Sequence, residues 1–197
     1  TFHLREGVKW YDCELNEYAD VTADDFVFGA EWILTPANES DNVDTLANVI
    51  VNAKEYFDGT VTDFAEVGVK AIDEHTLQYT LKDTCPYFLS MMTYVAFMPA
   101  NRQFVEESGE YYGTSNDTLL YNGAYYCTSW EPQNELVMER NDNYWDAENV
   151  SIKTVYGKYN AEAEALAPEM YLRGEIDEAT IPVEILDSWM SDPEKQN

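Results

Sequence analysis

The stretch from Tyr121 to Asp146, Y-N-G-A-Y-Y-C-T-S-W-E-P-Q-N-E-L-V-M-E-R-N-D-N-Y-W-D, constrains the fold more than any other part of the chain. Ala124–Trp130 and Glu135–Arg140 read as two strands, joined by the turn Glu131-Pro132-Gln133-Asn134. Asn122-Gly123 tolerates positive φ, which fixes where the first strand begins. After Arg140 a polar loop is closed by Tyr144-Trp145, read as anchors that lock the hairpin to the body of the fold.

Other segments carry equally local signals. Thr1–Arg5 alternates, with Phe2 and Leu4 on one face and His3 and Arg5 on the other; Glu6-Gly7 turns it and Val8-Lys9-Trp10 resumes it. Residues after Asp12 up to Asp20 read as a loop. In V-T-A-D-D-F, Thr22 caps a helix and Asp24 and Asp25 sit in its positive first turn. Phe26, Ala30 and Ile33, flanked by Val27 and Leu34, form its apolar stripe, and it ends near Thr35, before Pro36. A second helix is predicted from Asp44 to Phe57. Val67–Ile72 and Thr76–Lys82 form a hairpin about Asp73-Glu74-His75, with His75 a solvated turn residue. Pro86 opens a short helix through Met92, and Asn101–Ser108 is a helix ended by Gly109. Ile152–Tyr159 is a strand and Ala161–Arg173 a helix that Pro168 should kink or delay. Gly174-Glu175-Ile176-Asp177 begins a buried strand, and Pro182 opens a last helix, Val183–Met190.

Composition excludes several functions. With 11 basic against 38 acidic residues the net charge is −27, so nucleic acid and anionic lipid, which need Lys and Arg patches, are poor partners. A content of 45% hydrophobic and 14% aromatic residues requires a folded chain. No apolar run of about 18 residues crosses a membrane, so no direct membrane insertion is expected of this segment. Cys13, Cys85 and Cys127 lack C-x-x-C spacing and read as small hydrophobes, with room for one adventitious disulfide. The two histidines, His3 and His75, do not assemble with a nucleophile and an acid, so no enzyme and no zinc site is expected. Asn141-Asp142-Asn143, Asp146 and Glu148 lack the glycine and terminal glutamate of a calcium loop and read as a solvated turn. No metal and no cofactor is expected. Both ends read as cuts inside a longer protein.

Six motifs in order resemble the extracellular solute-binding proteins of family 5, the peptide receptors of ABC importers. They are T-F-H-L-R-E-G-V-K-W, V-T-A-D-D-F, G-V-K-A-I-D-E-H-T-L, N-G-x-Y, R-N-x-x-Y-W-D and G-E-I-D. The resemblance implies a mixed α/β fold of the type II periplasmic-binding-protein kind. It implies that residues 1–100 are most of an additional α/β domain and 101–197 part of the first lobe, the second lobe being absent. It implies capture of short peptides outside the membrane, in a periplasm or on a lipid anchor, and delivery to a permease. Ligand contact is implied for Tyr94, after P-Y-F, and for Thr180, Ile181 and Pro182, after G-E-I-D. The loop Asn38–Asp44 faces the cleft in relatives, but its sequence does not match. A glycan-binding or glycan-cleaving module is the alternative, given 15 Tyr and 5 Trp beside many acids.

Overall fold

The computed structural model describes residues 1–192, and these divide into two compact units. The first comprises Thr1–Thr128 with Glu139–Lys153, the second Ser129–Met138 with the chain from Thr154 onward.

In the first unit, β1 (Phe2–His3), β2 (Lys9–Tyr11) and β3 (Glu17–Asp20) precede α1 (Ala23–Leu34). β1 follows the predicted alternation: His3 and Arg5 are exposed, while Phe2 and Leu4 pack on the core. The expected loop up to Asp20 is instead the return strand β3, antiparallel to β2 with Lys9 opposite Asp20 and Trp10 opposite Ala19. The signal lies in Asp12. Its Oδ1 accepts from the backbone N–H groups of Glu14 and Asn16, both at 2.9 Å, and so closes the turn.

α1 starts and stops where predicted, and Thr22 is its N-cap within a capping box: the Thr22 side chain faces the Asp25 backbone N–H, and the Asp25 carboxylate accepts from the Thr22 backbone N–H at 2.8 Å. The buried face of α1 is also wider than the predicted stripe, because Phe28 and Gly29 join Ala30 and Leu34 inside. A Cβ on Gly29 would lie 2.6 Å from the Met98 carbonyl oxygen, so glycine is what allows this helix to touch residues 98–100.

The predicted helix over Asp44–Phe57 is two short ones, α2 (Val43–Ala47) and α3 (Ala53–Phe57). Between them Val49-Ile50-Val51 is a β-branched run, which disfavours helix and favours extended backbone. The Val51 N–H donates to the Thr80 carbonyl at 3.0 Å, the Gly68 N–H donates to the Val51 carbonyl at 2.9 Å, and Asn52 takes φ 59° to re-enter a helix. The hairpin β4 (Val69–Asp73) and β5 (Thr76–Tyr79) forms as predicted, and β1 adds to its far side, giving the order β1-β5-β4. Leu34, Leu46, Ile50, Val67, Val69 and Leu77 are almost completely buried between this sheet and the helices. His75 is half-buried rather than solvated, and its Nδ1 is enclosed without a hydrogen-bond partner.

Two further short helices, α4 (Phe88–Met91) and α5 (Arg102–Ser108), flank a turn at Val95–Phe97. Asn101 caps α5 by accepting from the Phe104 N–H at 3.0 Å. β6 (Tyr125–Glu131) and β7 (Glu135–Arg140) form the predicted hairpin, with Gln133 in the turn at φ 60°. Neither Asn122 nor Gly123 takes positive φ, so the entry to β6 is fixed otherwise, as described below.

In the second unit, β8 (Thr154–Lys158) joins the sheet in the order β6-β7-β8. Helix α6 (Ala163–Leu172) begins two residues later than predicted and contains Pro168, which is buried. Gly174, at φ 69°, ends it: the Gly174 N–H donates to Tyr171 and the Glu175 N–H to Met170. The buried strand predicted from Gly174 does not form. A strand needs a partner ladder, and among the described residues none pairs with 174–182; Glu175 and Asp177 are exposed. Pro182 then opens α7 (Val183–Met190), as expected.

Candidate functional site

Tyr94 stands on a surface depression of about 470 Å³ in the first unit, lined also by Asp44, Thr45, Asn48, Val49, Tyr87, Ser90 and Met91. The backbone explains the arrangement. Phe88 and Phe97 are buried and meet edge to face at 5.7 Å, clamping both ends of the segment between them. Within the segment Ala96 is buried and Met91 and Met92 pack on the core, whereas Tyr94, and Tyr87 just before the segment, are each 62% exposed. The Tyr94 N–H donates to the Met91 carbonyl at 2.9 Å and the Phe97 N–H to the Tyr94 carbonyl at 3.0 Å, so the Tyr94 backbone is tied on both sides. The facing wall is α2, whose last turn is held by Lys82 donating to the Ala47 carbonyl at 3.0 Å.

Thr180, Ile181 and Pro182 belong to the second unit and are taken separately. Thr180 is exposed, and Ile181 and Pro182 are half-buried before α7. A cavity of about 790 Å³ in the same unit is lined by Tyr156, Tyr159, Met170, Ile176 and Asp177 among others, and not by residues 180–182. Sequence reasoning named Asp44 only as the end of the loop Asn38–Asp44 and the start of a helix, and did not single out Tyr87, Thr45 or Asn48. Tyr87 was legible as the polar-tipped neighbour of an apolar anchor, whereas the α2 wall depended on a helix break that was not foreseen.

The R-N-x-x-Y-W-D closure also works through Asn141, which the sequence reading did not single out as an anchor beside Tyr144 and Trp145. Asn141 is 0% exposed; its backbone N–H donates to the Ala124 carbonyl, and its Nδ2 to the Gly123 carbonyl at 3.1 Å. This fixes the start of β6. Trp145, expected to be an anchor, is 52% exposed and carries the Arg5 guanidinium 3.9 Å from its ring centre. Asp142 pairs with Arg140 at 2.6 Å, and Asp146 Oδ1 accepts from Asn149 Nδ2 at 2.6 Å. Among the described residues no group of three His, Cys, Asp or Glu could hold a metal ion. Cys13 and Cys85 are half-buried free thiols, and Cys127 is buried.

Among the described residues Asp25 is the most enclosed carboxylate, 6% exposed, with Trp10 Nε1 donating at 3.1 Å and Asn101 Nδ2 at 3.3 Å. Burial raises its pKa, against the pull of those donors. Tyr18 donates to Glu107 at 2.8 Å, and burial with that bond pushes the phenol up to about 12.

Comparison with known proteins follows the same lines. The model of the bacterial extracellular solute-binding proteins, family 5 Middle, matches residues 1–197. The oligopeptide-binding protein AmiA of Streptococcus pneumoniae is 38% identical over 157 residues, 79% of this chain and 24% of AmiA. The periplasmic oligopeptide-binding protein OppA of Salmonella typhimurium is 32% identical over 189 residues, 94% of this chain and 33% of its own. The chain thus spans about a quarter to a third of the length of the curated relatives it matches. Among solved structures, Burkholderia pseudomallei OppA superposes with a TM-score of 0.81 at 28% identity, covering 96% of this chain and 36% of that one. Listeria monocytogenes OppA, solved bound to peptide, gives 0.78 at 26% identity, covering 97% and 36%. These relatives are peptide-binding proteins, and the glycan alternative finds no support among them.

Proposed function

Because this chain belongs to the bacterial extracellular solute-binding proteins of family 5, we propose that it is part of a longer receptor that captures short peptides outside the membrane. The receptor hands them to the permease of an ABC importer and performs no chemistry on them. The observation that carries this reading is the match of the family model to all of residues 1–197, with relatives that are oligopeptide-binding proteins. No helix among the described residues is long and apolar enough to cross a membrane, in keeping with a receptor that meets its permease from outside. Residues 1–100 are assigned to the additional α/β domain and 101–197 to part of the first lobe. That assignment rests on the order of the family motifs; the two compact units do not divide at residue 100, and Asn101 Nδ2 donates to Asp25 across it. Of the contacts implied by resemblance, Tyr94 is the best supported, because it is exposed on a depression large enough for a side chain. Thr180, Ile181 and Pro182 are assigned the same role from the second unit. Native mass spectrometry of the longer protein with equal mixtures of short peptides and soluble oligosaccharides tests the reading. Retention of peptides alone is expected, and retention of oligosaccharides alone contradicts it.

A further inference from the structure

We propose that the depression beside Tyr94 selects a cationic side chain, the ammonium of Lys or the guanidinium of Arg, on the bound peptide. The inference rests on reading that depression as a ligand contact. Its lining contains two exposed phenol rings, Tyr87 and Tyr94, and one carboxylate, Asp44, but no Lys, Arg or His. The negative face of a phenol ring attracts a cation, and Asp44 supplies the counter-charge. Val49 and Met91 offer apolar surface to the aliphatic stem of such a side chain, and the Thr45 and Ser90 hydroxyls and the Asn48 carbonyl can accept from its N–H groups.

Among the described residues Asp44 forms no salt bridge. The lysine within electrostatic reach of it, Lys54, is already paired with Asp58 at 2.8 Å. A neutral aliphatic side chain gains the apolar contact but nothing from Asp44, and an acidic one meets a carboxylate within a chain of net charge −27. One exposed cation–π contact and one exposed ion pair together give a preference of about five- to tenfold for Lys over an uncharged side chain of the same shape.

The test is titration calorimetry of the longer protein with short peptides that differ at one position: Lys, norleucine or Glu. Each is used with a free and an acetylated amino terminus, so that the terminal ammonium is separated from the side chain. The Lys peptide is expected to bind about five- to tenfold tighter than the norleucine peptide in both forms, with the ratio shrinking at high salt. Asp44→Asn and Tyr94→Ala are each expected to narrow that ratio, while Glu74→Gln, a charge removed from the β4–β5 turn, leaves it as it was. Equal affinity for Lys and norleucine, or a ratio that survives Asp44→Asn, overturns the cationic pocket while leaving peptide capture standing. Binding of none of the peptides overturns peptide capture and this inference together.

Discussion

Asp25 shows how one side chain can organise several segments. Its carboxylate gathers the Trp10 indole from β2, the Thr22 backbone at the start of α1 and the Asn101 amide before α5. Asp25→Ala leaves three donors, one buried and two part-buried, without this acceptor and is expected to cost about 3 kcal/mol in denaturant unfolding. Asp24→Ala, exposed one residue earlier, should cost no more than about 0.5 kcal/mol. The pH dependence has a definite sign. Because the folded-state pKa of Asp25 is raised, the native state holds its proton more tightly than the unfolded chain. Its contribution to stability is therefore greatest below the ordinary carboxylate pKa and falls as pH rises through the raised value; Asp25→Asn should remove that part of the slope. Tyr18 acts at the other extreme. With its phenol at about 12, its bond to Glu107 is retained below the ordinary tyrosine value near 10 and lost as pH climbs through 12. Alkaline unfolding of Tyr18→Phe should lack that step. The sequence showed Asp25 only as an acid in a helix's first turn, because burial and the Asn101 contact, 76 residues away, are set by tertiary packing.

Elements were legible where one local rule decided them and illegible where two competed. The start and stop of α1, the β4–β5 and β6–β7 hairpins, the cap of α5 and the proline at the head of α7 each follow from a few neighbouring residues. The break between α2 and α3 does not, because periodic apolar positions argued for one helix while the β-branched run Val49-Ile50-Val51 argued for extended backbone. Pairing with Thr80 and Gly68 decided it. Asn52 makes that break possible: it holds φ 59° and donates from Nδ2 to the Glu66 carbonyl at 2.8 Å. Asn52→Ala should therefore cost about 1–2 kcal/mol, while Asn52→Gly, which keeps the backbone free to turn, should cost less. Gly29→Ala sets a methyl group against the Met98 carbonyl and should cost about 1–3 kcal/mol despite alanine's better helix propensity. Thermal or urea unfolding monitored by circular dichroism checks both. The strand expected from Gly174 is the converse case: Glu175 and Asp177 stay exposed, and among the described residues no ladder takes the motif up.

For the whole molecule, family membership was readable because six motifs recur in order, although no one of them carries chemistry. The candidate site was readable only in part: Tyr94 came from the resemblance, while Tyr87 and the α2 wall emerged only from the fold. The acidity argued against nucleic acid without naming a ligand; the inference of a cationic partner needed Asp44 on the same depression as two exposed rings. Peptide capture is assigned to a receptor about three times the length of this chain, as its relatives are. Isothermal titration of that longer protein and of residues 1–197 alone, each against mixed short peptides, tests the assignment most directly. Saturable heat from the longer protein, with weak or no binding by residues 1–197, is the predicted result. Silence from the longer protein, or equal affinity in both, would contradict it.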